Sequence, residues 1–266
     1  AVLKDPTADP AFKALMLALP SELDIFEMVD ESDPESIHHV HGMVLDSLAQ
    51  GLRAEWRTVF DLNQTRGYRH ADAGRRALKN RALFMLCRRD DAWSVEVARE
   101  QFVNADNMTD QIGALLALRD RDGEARTDCL LDFAARWEKE ALVMDKYFAL
   151  IASSQLPCTL DHVKAAMEHP AFSIKNPNKV RALIGSFSHN MAHFHAQDGS
   201  GYRFVADQIV VIDAMNPQVA SRLATAFNRW KKVEPGRRAQ MRAEMERLLR
   251  VPLSKDVYEI ISKNLA

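Results

Sequence analysis

Apolar residues recur at helical spacing along almost the whole chain, and this pattern limits the possible folds more than any other feature. The last segment carries four such residues at i, i+3, i+4 and i+8, namely Val257, Ile260, Ile261 and Leu265. This spacing places them on one face of a helix. Long alternating runs of Val, Ile and Thr, which would indicate strands, are missing. The one strand-like run, QIVVID at 208–213, is flanked by helical spacing, so we predict a helix there as well.

Helix start signals punctuate the chain at short intervals. Ser21 with Asp24 forms a capping-box pattern, and Asn176-Pro177 and Asn216-Pro217 place Pro at a first helical position. Such signals predict helices over 22–29, 35–64, 73–89, 110–119, 124–139, 160–168, 178–187, 218–231, 236–250 and 255–265. Residues 188–203 are predicted to form a long ordered loop. About a dozen short antiparallel helices indicate an all-α fold, either an α-solenoid or a layered bundle.

Composition and charge disfavour several classes of protein for this chain. The 266 residues carry a net charge of −2, which disfavours a strongly basic nucleic-acid binder. No stretch approaches the roughly 18 apolar residues of a membrane span. The start, AVLKDPTADP, lacks the features of a signal peptide. Three separated cysteines form no disulfide or zinc-knuckle pattern. We therefore expect a cytoplasmic protein without nucleic-acid or membrane partners.

Two segments of opposite charge stand out. The acidic run, Glu22 to Glu35, holds seven acids and no base, whereas the basic run, Arg229 to Arg250, holds eight bases and three acids. Basic side chains can meet phosphates. However, the basic run also contains apolar residues at helical spacing, Met241, Met245, Leu248 and Leu249. We therefore interpret it as the solvent-exposed face of an amphipathic helix.

The histidines form two groups that could suggest a metal site. His38, His39 and His41 lie in one segment, and His189, His193 and His195 lie in another. None of the nine histidines is followed by Glu, so the chain contains no H-E-x-x-H helix. We interpret both groups as packing or surface residues and predict no metal ligand and no catalytic residue. A metal-dependent hydrolase built on His189, His193 and His195 is the alternative. Cys87 is predicted to be a buried small residue.

The motif NPQVASR, at 216–222, suggests a binding role. Gln218 and Arg222 are i, i+4, so both side chains project from one helix face. A guanidinium fork suits a carboxylate, and Gln adds a neutral hydrogen-bond partner. Such a pair could hold the C-terminal carboxylate of a peptide. Spacing alone favours a helix-capping or interhelical salt-bridge role over such binding.

Several ordered segments together resemble the C-terminal helical domain of bacterial aminopeptidase N, a zinc metallo-aminopeptidase of the gluzincin type. The segments are RALKNRAL (76–83), NADNMTDQIGALLAL (104–118), LVMDKYF (142–148), NPNKVRALIGSF (176–187), FHAQDGSGYRF (194–204), NPQVASRL (216–223) and SKDVYEIISKNLA (254–266). The resemblance runs from about residue 20 to the end. It implies a HEAT-like curved array of helices, with 1–266 as a single C-terminal domain and 1–20 as an entry segment from upstream domains.

The resemblance also implies that catalysis and closure of the active site belong to different domains. The family's catalytic domain, which holds the zinc ligands, lies upstream and is missing from this chain. This segment is therefore expected not to catalyse alone and to bind no cofactor. It would close the active-site chamber of an aminopeptidase, with Gln218 and Arg222 facing the peptide substrate. The expected partners are the catalytic domain of the same polypeptide and the peptide. A free-standing α-solenoid that binds a protein partner is the alternative function.

Overall fold

Helices account for nearly all regular structure in the computed structural model, which describes residues 2–88 and 91–266. The described helices are Pro10–Met16 (α1), Glu22–Glu27 (α2), Pro34–Gly51 (α3), Arg53–Leu62 (α4), Ala73–Cys87 (α5), Ala92–Asn104 (α6), Met108–Leu118 (α7), Glu124–Trp137 (α8), Ala141–Ala152 (α9), Thr159–Met167 (α10), Pro177–Val180 (α11), Met191–Phe194 (α12), Ser200–Asp213 (α13), Pro217–Ala224 (α14), Pro235–Leu248 (α15) and Lys255–Leu265 (α16). No strand occurs in the described ranges, which confirms the all-α prediction. None of these helices is both long and apolar enough to cross a membrane.

The predicted start signals act as helix caps. Ser21 Oγ accepts the amide of Asp24 at 3.2 Å, and the Asp24 carboxylate accepts the amide of Ser21 at 2.9 Å. Asn216 caps α14 by accepting the amide of Val219 at 3.2 Å. Ser254 caps α16 in the same way. Because a cap satisfies amides that have no partner inside the helix, these starts could be located from local sequence.

Three predicted boundaries are wrong. The helix predicted over 35–64 is two helices, because Leu52 leaves the helical region with φ −119° and ψ 25°. The loop predicted over 188–203 contains α12, capped by Asn190, and the start of α13. The helix predicted over 218–231 ends at Ala224, and 3-10 turns follow it. The segment predicted as a helix over 178–187 is helical throughout, but after α11 it passes into a π-helical turn, Arg181–Gly185. This turn becomes important below, because it forms part of the candidate site.

The contacts between residues gather in two compact units. Unit 1 takes residues up to Pro20 together with Val40–Arg136, and unit 2 takes Ser21–His39 together with Trp137–Ala266. The single domain predicted over 1–266 stays a prediction. In unit 1, α1 packs on α5, and α5 also packs on α4 and α7. The core of unit 1 includes Trp56, Leu83, Phe102, Leu118 and Phe133, and that of unit 2 includes Phe148, Phe187, Tyr202, Phe227 and Ile261.

Within unit 2 the acidic run lies against the basic run. A parallel bridge joins Ser32 to Val233, through Ser32 N–H to Lys232 O at 2.6 Å and Glu234 N–H to Ser32 O at 2.9 Å. Around it the described side chains form five ion pairs: Arg229 with Glu27, Lys232 with Glu27 at 2.9 Å, Arg237 with Asp33 at 3.3 Å and with Glu35 at 3.0 Å, and Arg238 with Glu31 at 2.6 Å. The basic run is therefore more than a solvent-exposed face, although Met241, Met245 and Leu248 are buried as predicted.

Gly201 marks the closest approach of α13 to α12. A Cβ at this position would lie 2.7 Å from the Cα of Phe194 and closer still to the carbonyl oxygens of His193 and Phe194. Backbone atoms cannot move aside as a side chain can. We expect Gly201→Ala to lower the free energy of unfolding by about 1–3 kcal/mol, as overpacking does. Urea denaturation measures this change. The control is Gly51→Ala, at the end of α3, where a Cβ meets nothing within 4 Å. Equal effects of the two changes would contradict the prediction.

Glu27 should contribute stability that depends on pH. Hydrogen bonds from Lys232 and Arg229 hold the pKa of the Glu27 carboxyl below its usual value. A carboxyl whose pKa falls on folding adds stability above the pKa of the unfolded state, and this stability is lost as the pH drops through the folded-state pKa. Because the pairs are partly exposed, Glu27→Gln should lower the free energy of unfolding by up to about 1 kcal/mol at pH 7. At acidic pH the difference from wild type should vanish.

The matched control for Glu27→Gln is Asp30→Asn in the same acidic run. Asp30 is exposed and has no ion pair with a described residue, so this change should leave stability unchanged at both pH values. A Glu27→Gln effect that persists at acidic pH would show that the carboxylate charge is not its cause.

Candidate functional site

A cavity of about 390 Å³ lies within unit 2, between α14 on one side and α11 with its π-helical turn on the other. Both walls begin with an Asn-Pro pair, at Asn176-Pro177 and Asn216-Pro217. The volume falls within the range usual for small-molecule sites. We call this the unit 2 cavity.

The α14 wall presents both predicted binding residues to the cavity. Ala220, Leu223 and Ala224 are buried, because this side of α14 packs against α13 and α16. Gln218 and Arg222 lie one turn apart, are exposed, and line the cavity. The i, i+4 spacing has therefore placed both side chains on one face, as the sequence predicted. No described residue forms an ion pair with Arg222, so the alternative salt-bridge role is not observed there.

The opposite wall is held in place by a buried lysine. Lys179 Nζ donates to Asp145 Oδ1 on α9 at 2.8 Å and lies 5.5 Å from the centre of the Phe148 ring. Directly after it the backbone widens, and Ser186 N–H bonds to Arg181 O, five residues back. Turns of this kind are frequent at functional sites. Arg181 lines the cavity from this turn, and sequence reasoning did not identify it as a site residue.

The charged side chains known to line the cavity are those of arginines. Arg181 and Arg222 both line it, together with the neutral Gln218 and Asn216, and none of the described residues that line it is Asp or Glu. Among the described residues, the Arg181 side chain has only a long hydrogen bond, 3.4 Å, to the neutral Asn178. Two guanidinium groups without a carboxylate between them suit an anionic group, and a planar carboxylate can take two parallel hydrogen bonds from each fork.

His189 also lines the cavity and was missed as a site residue. Its Nδ1 lies 2.8 Å from Gly185 O. Since a carbonyl oxygen can only accept, Nδ1 carries the proton, and Nε2 of the neutral ring is an acceptor. His189 can therefore accept a hydrogen bond from a bound ligand. Only its place in a loop rich in histidine hinted at this position.

The remaining histidines of that loop lie elsewhere. His195 Nδ1 lies 2.7 Å from the Tyr202 hydroxyl, and its ring stacks on Phe26. Burial, assisted by the charges of Arg237 and Arg229, lowers the pKa of His195 to about 3, so the ring is neutral at pH 7. His193 lines a separate cavity with Pro157 and Leu160. Among the described residues, no group of three His, Cys, Asp or Glu side chains could hold a metal ion.

The other candidates from the sequence have structural surroundings. His38 Nδ1 lies 2.7 Å from Glu22, and His41 Nε2 lies 3.1 Å from Pro20 O. Cys87 is buried, as predicted, and its burial raises the pKa of the thiol to about 12. A thiol with so high a pKa is protonated at neutral pH and is a poor nucleophile.

Comparison with known proteins identifies the family. The family model described as "Domain of unknown function (DUF3458_C) ARM repeats" matches residues 1–266. The chain belongs to this family. The repeats of stacked helices in that description agree with the predicted solenoid-like class of fold.

Individual relatives of this DUF3458_C chain are aminopeptidases. Aminopeptidase N of Caulobacter vibrioides is 39% identical over 99% of this chain, and aminopeptidase N of Escherichia coli is 37% identical over 100%. A crystal structure of Legionella pneumophila aminopeptidase A in complex with aspartic acid is 29% identical, with a TM-score of 0.91 over 99% of this chain. The predicted resemblance is thus confirmed. The chain spans only 31% of the length of each aminopeptidase N and 32% of the Legionella chain.

Proposed function

We propose that this chain is the C-terminal domain of a zinc-dependent aminopeptidase and that it closes the chamber in which peptides lose their N-terminal residues. In this role the unit 2 cavity receives the part of the peptide beyond the cleaved bond. Arg222 and Arg181 bind its C-terminal carboxylate, and Gln218 donates to or accepts from the peptide backbone. The names of the relatives support the reaction, and the chain's own residues support the role of the cavity.

The observation that carries the proposal is the pair of arginines in a cavity whose described lining contains no acid. A peptide's C-terminal carboxylate is the anionic group that every peptide has, whatever its sequence. When this carboxylate is bound, the length of the peptide sets how far its N-terminal residue lies from the cavity. Interactions at such a distance from the reacting bond help to hold the substrate in a reactive position.

The described residues do not fit a zinc site of their own. No three His, Cys, Asp or Glu side chains among them form a group that could hold a metal ion, and His195 is buried against Tyr202 and Phe26. In our proposal zinc is therefore held by residues of the catalytic domain, in the same polypeptide outside this chain, and this chain takes no part in the metal's chemistry. We further propose a cytoplasmic location, with which the free thiols of Cys87, Cys129 and Cys158 agree.

The first test uses the 266-residue chain alone. We expect no hydrolysis of an alanyl chromogenic amide, with or without added zinc, and no stoichiometric zinc on metal analysis. Activity that survives repurification and is abolished by a chelator would contradict this prediction. It would favour the alternative hydrolase built on His189, His193 and His195.

The second test concerns Arg222 in the full-length polypeptide. A charge-assisted hydrogen bond contributes roughly 1.5–3 kcal/mol, so Arg222→Ala should lower kcat/KM for di- and tripeptides by about one to two decades. A single-residue chromogenic amide has no carboxylate at that place, so its kcat/KM should be unchanged. Arg222→Lys should recover part of the loss, because a point charge replaces a planar fork. Arg181→Ala should act in the same direction, and Gln218→Ala should have a smaller effect.

The matched control is Arg250→Ala. Arg250 is exposed, has no ion pair with a described residue, and does not line the unit 2 cavity. It should leave both substrates unaffected. Equal loss on both substrates in Arg222→Ala would mean that Arg222 is structural. No loss on either would mean that the cavity does not meet the peptide, and a separate interaction module would then be the better description.

A further inference from the structure

A second polar cavity, which the proposed function does not use, lies within unit 1. Its volume is about 570 Å³, and it is bordered by α4 and the residues after it, α5, α6 and the start of α7. Exposed charged residues form the rim, and buried polar residues form the floor. We call it the unit 1 cleft.

A hydrogen-bond network of fixed orientation forms the floor. Lys79 Nζ donates to Asp110 Oδ2 at 2.7 Å, and both side chains are at least nine-tenths buried. Asn80 Nδ2 donates to Asp110 Oδ1 at 3.1 Å. Gln101 Nε2 donates to Asn80 Oδ1 at 2.8 Å and to Asp110 O at 2.9 Å. Reversing the Gln101 amide would set its oxygen against two acceptor oxygens, so the orientation is determined by its partners.

This network ends in an acceptor that has no donor. Gln101 Oε1 is buried, and no described residue donates a hydrogen bond to it. The Thr65 hydroxyl, which also belongs to a residue lining the cleft, is buried and unpaired in the same sense. Buried polar groups are nearly always hydrogen-bonded, and each exception calls for a specific explanation. Two such groups around one cleft indicate a ligand that supplies donors.

The charged residues of the rim indicate which charged groups the ligand carries. Asp61 and Glu100 are exposed at the cleft and form no ion pair with a described residue. They favour a positively charged donor, such as an ammonium group. Arg66 is also unpaired among the described residues, and Arg57 lies 4.4 Å from the centre of the Trp93 ring. These two guanidinium groups provide partners for a carboxylate.

We propose that the unit 1 cleft binds a small zwitterion of the α-amino acid class, with the ammonium group toward Gln101 and Thr65 and the carboxylate toward Arg57 and Arg66. The proposal does not rest on the role of the unit 2 cavity. It assigns a second ligand site to the chain, in a different unit and with a different set of residues.

The test uses the full-length polypeptide labelled with fluorotryptophan, and the ¹⁹F resonance of Trp93 reports on the cleft. Trp93→Phe assigns that resonance. We expect L-alanine to shift it saturably. N-acetyl-L-alanine, which lacks the ammonium group, should bind at least about tenfold more weakly, as loss of a charge-assisted hydrogen bond implies. The titration is read from the Trp93 resonance alone, so that it reports on this cleft.

Thr65→Val is the decisive variant, since the hydroxyl has no partner to lose. It should weaken L-alanine binding about tenfold, through loss of a hydrogen bond to a charged group, without lowering the stability of the ligand-free protein. Gln101→Leu should weaken binding further, but it also breaks two hydrogen bonds of the network, so it serves only as support. Arg222→Ala should leave the Trp93 titration unchanged.

Three results would overturn the proposal. The first is the absence of a saturable Trp93 shift with L-alanine. The second is unchanged affinity in Thr65→Val, particularly if that variant is more stable, because the hydroxyl would then be a packing defect only. The third is a structure of the full-length protein in which ordered water alone, or a side chain from outside this chain, pairs with Gln101 Oε1.

Discussion

The junction between the acidic and basic runs organises unit 2. Residues near 30 and near 233 are about two hundred positions apart, and the bridge at Ser32 and Val233 closes this long loop. Arg237 lies at its centre and is buried, and it donates to Glu35, to Glu234 and to His195 O. A single guanidinium thus holds the acidic run, its own helix start and the loop before α13. Removing a partner from such a buried group is far more costly than breaking an exposed pair.

The same junction neutralises part of the positive charge of unit 2. Four cations of the basic run, Arg229, Lys232, Arg237 and Arg238, are engaged by the acidic run. Arg181 and Arg222 lie outside this network, and no acid lines their cavity in the part of the chain that the structure describes. Because charges beyond a Debye length of about 8 Å are largely screened at physiological salt, the local absence of acids matters more than the chain's net charge of −2. An arriving carboxylate therefore meets no competing anion in the cavity walls.

Features governed by neighbouring residues could be predicted from the sequence, and those that depend on distant contacts could not. Caps such as Ser21 and Asn216 act within one turn, so the helix starts were predictable. The shared face of Gln218 and Arg222 follows from the i, i+4 spacing alone. Arg181 joins them only because a π-helical turn and the packing of α11 bring it to the same cavity, and no local signal reveals either. The pairing of the acidic and basic runs likewise requires the folded chain, since each run alone is typical of a solvent-exposed face.

A buried lysine paired with an aspartate supports each of the two cavities. In unit 1, Lys79 on α5 reaches Asp110 on α7 at 2.7 Å, and in unit 2, Lys179 on α11 reaches Asp145 on α9 at 2.8 Å. Replacing such a pair by apolar side chains is often neutral or stabilising, so net stability does not explain why they are present. A buried ammonium instead demands one particular partner, which sets the alignment of the two helices that carry the pair. In unit 2 this alignment determines where Arg181 stands relative to α14. In unit 1 it orients the network in which no described residue donates to Gln101 Oε1. Both candidate sites are thus positioned by a buried lysine to which neither proposal gives a role in binding the ligand.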